Sequence, residues 1–189
     1  DINCRSALDK RVVELESESF SYPTMSCEHT FHAGKGFRAE MIPLSAEIIL
    51  RSIRTDFSKE SYAGEHLADV KVYLTNVHGN NCYASGEDSS PAVIFNDKKY
   101  NSGDVAGCAC SEILYVEMPL DATEVTHALS HYFYCYENMI ETESDENRFT
   151  RLVIEGQLNG NTYYYPININ REGFGYSEGN GHKGVKRNT

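Results

Sequence analysis

The stretch Gly179-Asn-Gly181-His-Lys-Gly184 is a literal G-x-G-x-x-G. In a dinucleotide site such glycines let the backbone approach a pyrophosphate, but the motif must follow a strand and open a helix. Here Val185-Lys-Arg-Asn-Thr189 follows, so the spacing reads as a flexible glycine-rich loop. Lys183 precedes a glycine rather than Ser or Thr, which also fails the P-loop pattern. Cys27-Glu-His29-Thr-Phe-His32 carries metal-ligand side chains. On a strand Cys27 and His29 share a face while His32 points the other way. No second cluster completes a four-ligand set, so these read as surface histidines. The run Glu141–Asn147 is acidic but lacks the spacing and central glycine of a calcium-binding loop. It reads as a solvated surface loop.

Nucleophilic catalysis finds no better support. There is no G-x-S-x-G elbow. Cys108 or Cys110 could pair with His127 or His131, since a thiol and a distant imidazole suffice in principle. A chain with six cysteines and seven histidines offers such pairs by composition alone, and structural thiols or disulfides are the plainer reading. Tyr163, Tyr164 and Tyr165 could stack on sugars, but cross-strand packing is the plainer reading. No catalytic, cofactor-binding or metal-ligating residue is assigned, no cofactor is implied, and the chain is expected not to be an enzyme.

Composition narrows the partners. The 189 residues carry 17 basic and 28 acidic side chains, a formal charge of -11. Sequence-independent nucleic-acid binding rests on many Lys/Arg–phosphate contacts, so nucleic acid is not an expected partner. Apolar runs such as Ile48–Leu50 and Ala92–Phe95 fall far short of the ~20 residues of a membrane helix. The 40% of hydrophobic residues is enough to build a core. Tyrosine (13) outnumbers phenylalanine (8), and tryptophan is absent, which suits half-exposed sheet faces. The six cysteines include no C-x-x-C pair, so neither a zinc ribbon nor a thioredoxin-type motif is supported. Asp1 opens a polar segment without an apolar signal region, as in a cytosolic chain or one whose leader has been removed.

The elements that would position these groups are strands. Residues 69–77 alternate, with Val70, Val72 and Leu74 on one face and Lys71, Tyr73 and Thr75 on the other. Residues 149–158 and Thr162–Asn170 flank Asn159-Gly160, a pair suited to a two-residue hairpin turn. Pro166 cannot donate to a ladder, so that return strand belongs at an edge or bulge. Weaker strands are expected at Arg11–Glu16, His29–His32, Phe37–Leu44, Leu44–Arg54, Ser111–Met118 and His131–Glu137. In a strand, Cys108 and Cys110 would lie on one face with Cα atoms ~6.5–7 Å apart, at the limit of disulfide geometry, so no bridge between them is expected. No segment sustains a helical period, which predicts an all-β class. The polar stretch His78–Pro91 predicts a boundary between Gly79 and Pro91. It would separate two antiparallel β-sandwich domains, residues 1–85 and 86–189.

Four pieces of the chain resemble the fimbrillin superfamily of Bacteroidales surface proteins, the FimA/Mfa-type pilins, tip adhesins and anchors. They are Ala68-Asp-Val-Lys-Val-Tyr-Leu-Thr-Asn-Val77, Tyr132-Phe-Tyr-Cys-Tyr-Glu-Asn138, Thr150-Arg-Leu-Val-Ile-Glu-Gly156 with Tyr163-Tyr-Tyr-Pro-Ile167, and Gly184-Val-Lys-Arg-Asn-Thr189. Met41-Ile-Pro-Leu44 adds a weaker likeness. The resemblance implies tandem transthyretin-like sandwiches of Greek-key type, the first incomplete, export as a lipoprotein, removal of an N-terminal segment by a trypsin-like protease, a cell-surface or outer-membrane location and no catalysis. It also implies assembly by β-strand exchange with other fimbrial subunits, with a host protein or glycan as adhesion target. Residues 1 to ~85 would present an open groove, a strand beyond Thr189 would be the donor, and residues 173–184 would form a mobile lead-in. The competing reading is a surface carbohydrate-binding module using exposed tyrosines.

Overall fold

The computed structural model describes residues 7–8, 10–27, 30, 32, 34–36, 38–83, 93–97, 100–118, 130–140, 142 and 148–188. In chain order the strands are β1 (Val12–Glu14), β2 (Met25–Ser26), β3 (Ile42–Pro43), β4 (Ser45–Leu50), β5 (Ala68–Thr75), β6 (Val77–His78), β7 (Asn80–Cys82) and β8 (Ile94–Phe95). Helices α1 (Ser102–Ala106) and α2 (Ser111–Leu114) follow, then β9 (Tyr115–Glu117), β10 (His131–Tyr136), β11 (Arg151–Leu158) and β12 (Asn161–Asn168). Every pairing between these strands is antiparallel. The fold is all-β, as the alternation predicts.

A four-stranded sheet in the order β12-β11-β5-β9 forms the frame. The hairpin β11–β12 turns on Asn159 (φ 52°) and Gly160 (φ 76°), the positive angles that a tight hairpin demands. Strand β12 is outermost, which accommodates Pro166. Register aligns Leu74 with Leu152 and Val72 with both Ile154 and Val116, so one face of the sheet is apolar. A second sheet pairs β4 with β10, setting Ile48 opposite Phe133 and Ala46 opposite Cys135. Val72, Leu74, Ala46, Leu50, Phe133 and Cys135 belong to one buried cluster. Gly156 marks a register shift between β11 and β5. A side chain there would meet Leu67 at 2.6 Å, the close approach for which a strand glycine is used.

Three expectations need correcting. Residues 111–118 are not one strand: α2 covers Ser111–Leu114 before β9 begins. Leu114 is completely buried and Ile113 packs on the core beside it, so one helical turn holds the apolar residues that a strand reading alternates. The stretch from His78 to Pro91 does not begin as a linker, because Val77 is buried and residues 77–78 and 80–82 are strands; residues 84–92 lie outside the described part. Across the expected division at residue 85, β4 pairs with β10, β5 with β9 and β11, and β6 with β8. The described residues on both sides share one core cluster. Residues 173–184 are also tied down rather than free. Phe174 and Tyr176 N–H groups both donate to the Arg171 carbonyl, at 2.8 and 3.2 Å, and Gly184 N–H donates to the Asn170 carbonyl at 3.0 Å.

Candidate functional site: a cleft beside an open strand edge

Strand β4 pairs with β10 along one edge only. Among the described residues no strand lies on its other edge, and the Asn188 N–H donates to the Ser45 carbonyl at 3.1 Å at one end. Beside that edge is a cleft of about 390 Å³. Ala46, Glu47 and Ile48 form one wall; Ile169, Asn170, His182, Gly184 and Val185 form the other. Ile48 and Ile169 are half-buried and pack on the core, so each wall carries an apolar side chain.

The far wall stands because the chain is laced together there. Asn170 adopts a left-handed conformation (φ 50°). Its side-chain amide donates to the carbonyls of His182 and Gly184, each at 3.0 Å. Val185 exchanges two backbone hydrogen bonds with Asn138, at 2.9 and 3.1 Å, and is itself buried. Gly184 (φ 79°) lies directly against the Asn138 carbonyl, leaving no room for a β-carbon. Asn138 in turn donates to the Thr150 hydroxyl (2.9 Å) and the Arg148 carbonyl (3.0 Å). These asparagines were not singled out in the sequence. Nothing in their local pattern shows that residues 138, 170 and 184 meet.

On the outward side of β4, Glu47 Oε2 accepts a hydrogen bond from the Tyr134 hydroxyl at 2.9 Å. Burial first, and that bond second, push the Tyr134 phenol above its ordinary pKa. Phe20 stacks on Tyr134 with ring centroids 4.2 Å apart, so the 15–24 region covers part of this face.

The tyrosine run occupies the outer strand. Tyr163 and Tyr165 share one face of β12 with Ile167, and Tyr164 points to the other. All three rings are exposed, at 44%, 41% and 46% in chain order. Their cross-strand partners Gly156, Glu155 and Ile154 therefore do not bury them, and the packing explanation holds only in part. Asn161, on the same face as Tyr163, is exposed as well.

The remaining candidates do not converge. His131 opens β10 and packs edge-on against Phe133, with centroids 4.6 Å apart; burial lowers its pKa. No hydrogen bond among the described residues joins it to Cys108 or Cys110, and His127 lies outside them. Cys135 is fully buried, which pushes its thiol up to about 12; such a thiol is inert at neutral pH. Cys27 is exposed, while His29 and most of the 141–147 loop are outside the described residues. No group of three or more His, Cys, Asp or Glu among the described residues is placed to hold a metal ion. In the G-x-G-x-x-G stretch, Gly181 and Gly184 take positive φ angles in turns, and no helix follows. The partly buried carboxylate of Glu155 accepts from the Tyr73 hydroxyl (3.0 Å) and the Ser102 N–H (3.2 Å). It ties the start of α1 to the sheet.

No protein-family model and no curated protein matches the sequence. Solved structures do match. A crystal structure of a "putative cell adhesion protein" from Parabacteroides distasonis ATCC 8503 superposes with a TM-score of 0.62 at 18% identity, over 97% of this chain and 58% of the other. The likeness is one of fold. A second protein of the same description and organism matches at a TM-score of 0.43 and 14% identity, over 87% of this chain and 62% of that one. The chain thus spans somewhat more than half the length of these neighbours. No helix among the described residues is long and apolar enough to cross a membrane.

Proposed function

We propose that the chain is a structural cell-surface adhesion protein, a fimbrial subunit or adhesin that assembles by β-strand addition rather than a catalyst. The observation that carries this reading is the cleft beside the open edge of β4. An incoming extended segment would pair its N–H and C=O groups with that edge, as unsatisfied strand edges invite. Its alternate side chains would descend onto Ile48 and Ile169. Each apolar side chain so buried contributes about 1.5–3 kcal/mol, and each net hydrogen bond about 0.5–1.5 kcal/mol. The fold shared with the "putative cell adhesion protein" of Parabacteroides distasonis supports the same role. So does the fimbrillin resemblance of residues 68–78 and 131–189, which also supplies the lipoprotein export, outer-membrane location and subunit partners proposed here. The test is to follow the size of the chain, extended past Thr189, before and after trypsin treatment. Oligomer ladders that resist SDS are expected; a species that stays monomeric at high concentration after trypsin overturns the proposal.

A second reading is favoured by one observation, the exposed row Asn161, Tyr163 and Tyr165 on one face of β12. Flat aromatic rings beside an amide suit the apolar face and hydroxyls of a sugar. Glycan-array binding lost in Tyr163→Ala and Tyr165→Ala supports this role; binding unchanged in both variants refutes it.

A further inference from the structure

Cys108 and Cys110 lie in the bend that joins α1 to α2. The Cys108 N–H donates to the Val105 carbonyl, and the Ser111 N–H to the Cys108 carbonyl, each at 3.1 Å. The Ile113 N–H then donates to the Cys110 carbonyl at 3.0 Å. The chain is therefore coiled here, not extended. Two residues separated by one position in a coiled segment have Cα atoms about 5.5 Å apart, inside the range of disulfides. That removes the geometric objection raised by a strand assignment. The two sulfur atoms are 3.4 Å apart, touching but unbonded.

The pair is asymmetric. Cys108 is half-buried and open to a small reagent, whereas Cys110 is 94% buried, at 6% exposure. Burial first, and the contact with Cys108 second, push the Cys110 thiol upward. The Ala109 N–H between them donates to Glu16 Oε1 at 3.2 Å, which pins the tip of the bend.

We propose that Cys108 and Cys110 form a thiol–disulfide exchange site whose oxidant is a low-molecular-weight disulfide. Cys108, as thiolate, attacks one sulfur of the oxidant and releases the first small thiolate. Cys110 then gives up its proton and attacks Cys108 Sγ, which expels the second. One oxidant bond breaks, one protein S–S bond forms, and two electrons and two protons leave the protein on two small thiols. The poor acidity of Cys110 slows an intermolecular attack, but contact with its target replaces that encounter. Ring closure fixes the joint between α1, which packs on β5, and α2, which packs on β10. The bridge would therefore brace the contact between the two sheets in oxidising surroundings.

The reduced chain is treated with oxidised glutathione, quenched with a maleimide and cut by a protease that cleaves before Asp. Residues 104–120 carry these two cysteines and no other. The expected fragment is unlabelled and lighter than the dithiol by two hydrogens. In Cys110→Ser the same fragment should instead retain one glutathione, because the second attack is removed. A wild-type fragment carrying two maleimides, retaining glutathione, or linked to the fragment of another cysteine overturns the proposal. The wild-type result decides the matter whether or not the variant folds.

Discussion

Gly184→Ala, compared with Gly181→Ala, measures how the cleft's far wall is held. Both glycines have positive φ, 79° and 70°. An alanine in that conformation costs about 1–2 kcal/mol through Cβ–carbonyl crowding. At Gly181 that is the whole expected effect, since no atom lies within 4 Å of the new methyl. At Gly184 the methyl is driven into the Asn138 carbonyl, a backbone group already bonded to Val185 N–H. The 184–185 segment must then move off, and the two Asn138–Val185 hydrogen bonds go with it. Their loss adds about 1–3 kcal/mol, for a total of about 2–5 kcal/mol. The assay is urea unfolding of both variants at equal slope, with hydrogen exchange of the Asn138 and Val185 amides. Gly184→Ala should lose clearly more stability, and both amides should exchange faster. Equal destabilisation of the two variants, to within about 0.5 kcal/mol, would refute the lacing of the wall through Asn138.

Other consequences follow from the core. Tyr73 and Tyr136 are completely buried, and burial, followed in effect by Glu155 and Glu18 respectively, raises both phenols far above their ordinary value. With the folded pKa raised, the unfolded chain releases these protons first. Stability should therefore be intact below pH ~10 and fall as pH rises beyond it; urea midpoints that stay level between about pH 9 and 11 would contradict this. Arg171 is buried at 1% exposure, with its guanidinium 3.6 Å above the Phe149 ring and bonded to the Ile140 carbonyl. Arg171→Met keeps much of the volume but removes both contacts, and a loss of about 2–4 kcal/mol is expected in urea unfolding.

The strand content of this chain was legible because alternation is local. Val70, Val72 and Leu74 announce β5 without reference to any partner, and Asn159-Gly160 specifies its hairpin through its own φ preferences. Pro166 likewise places β12 at an edge, since a missing N–H is a property of the residue alone. What pairs with β5 and β4 was not legible. The polar residues at 78–91 suggested two cores, whereas strands before and after that stretch pair and bury one shared cluster. Composition reports how soluble a segment is, not which distant strand its neighbours meet. The bend at 108–110 shows the same limit at short range. A strand pattern places its sulfurs apart; the turn hydrogen bonds and the burial of Leu114 bring them into contact. The cleft, too, exists only in three dimensions, because its walls lie more than a hundred residues apart and are joined through Asn138, Asn170 and Gly184. Local alternation and turn residues determined β5, β11, β12 and the hairpin between the last two; the packing of side chains distant in the chain decided their partners and, among the described residues, which edge of β4 stays open.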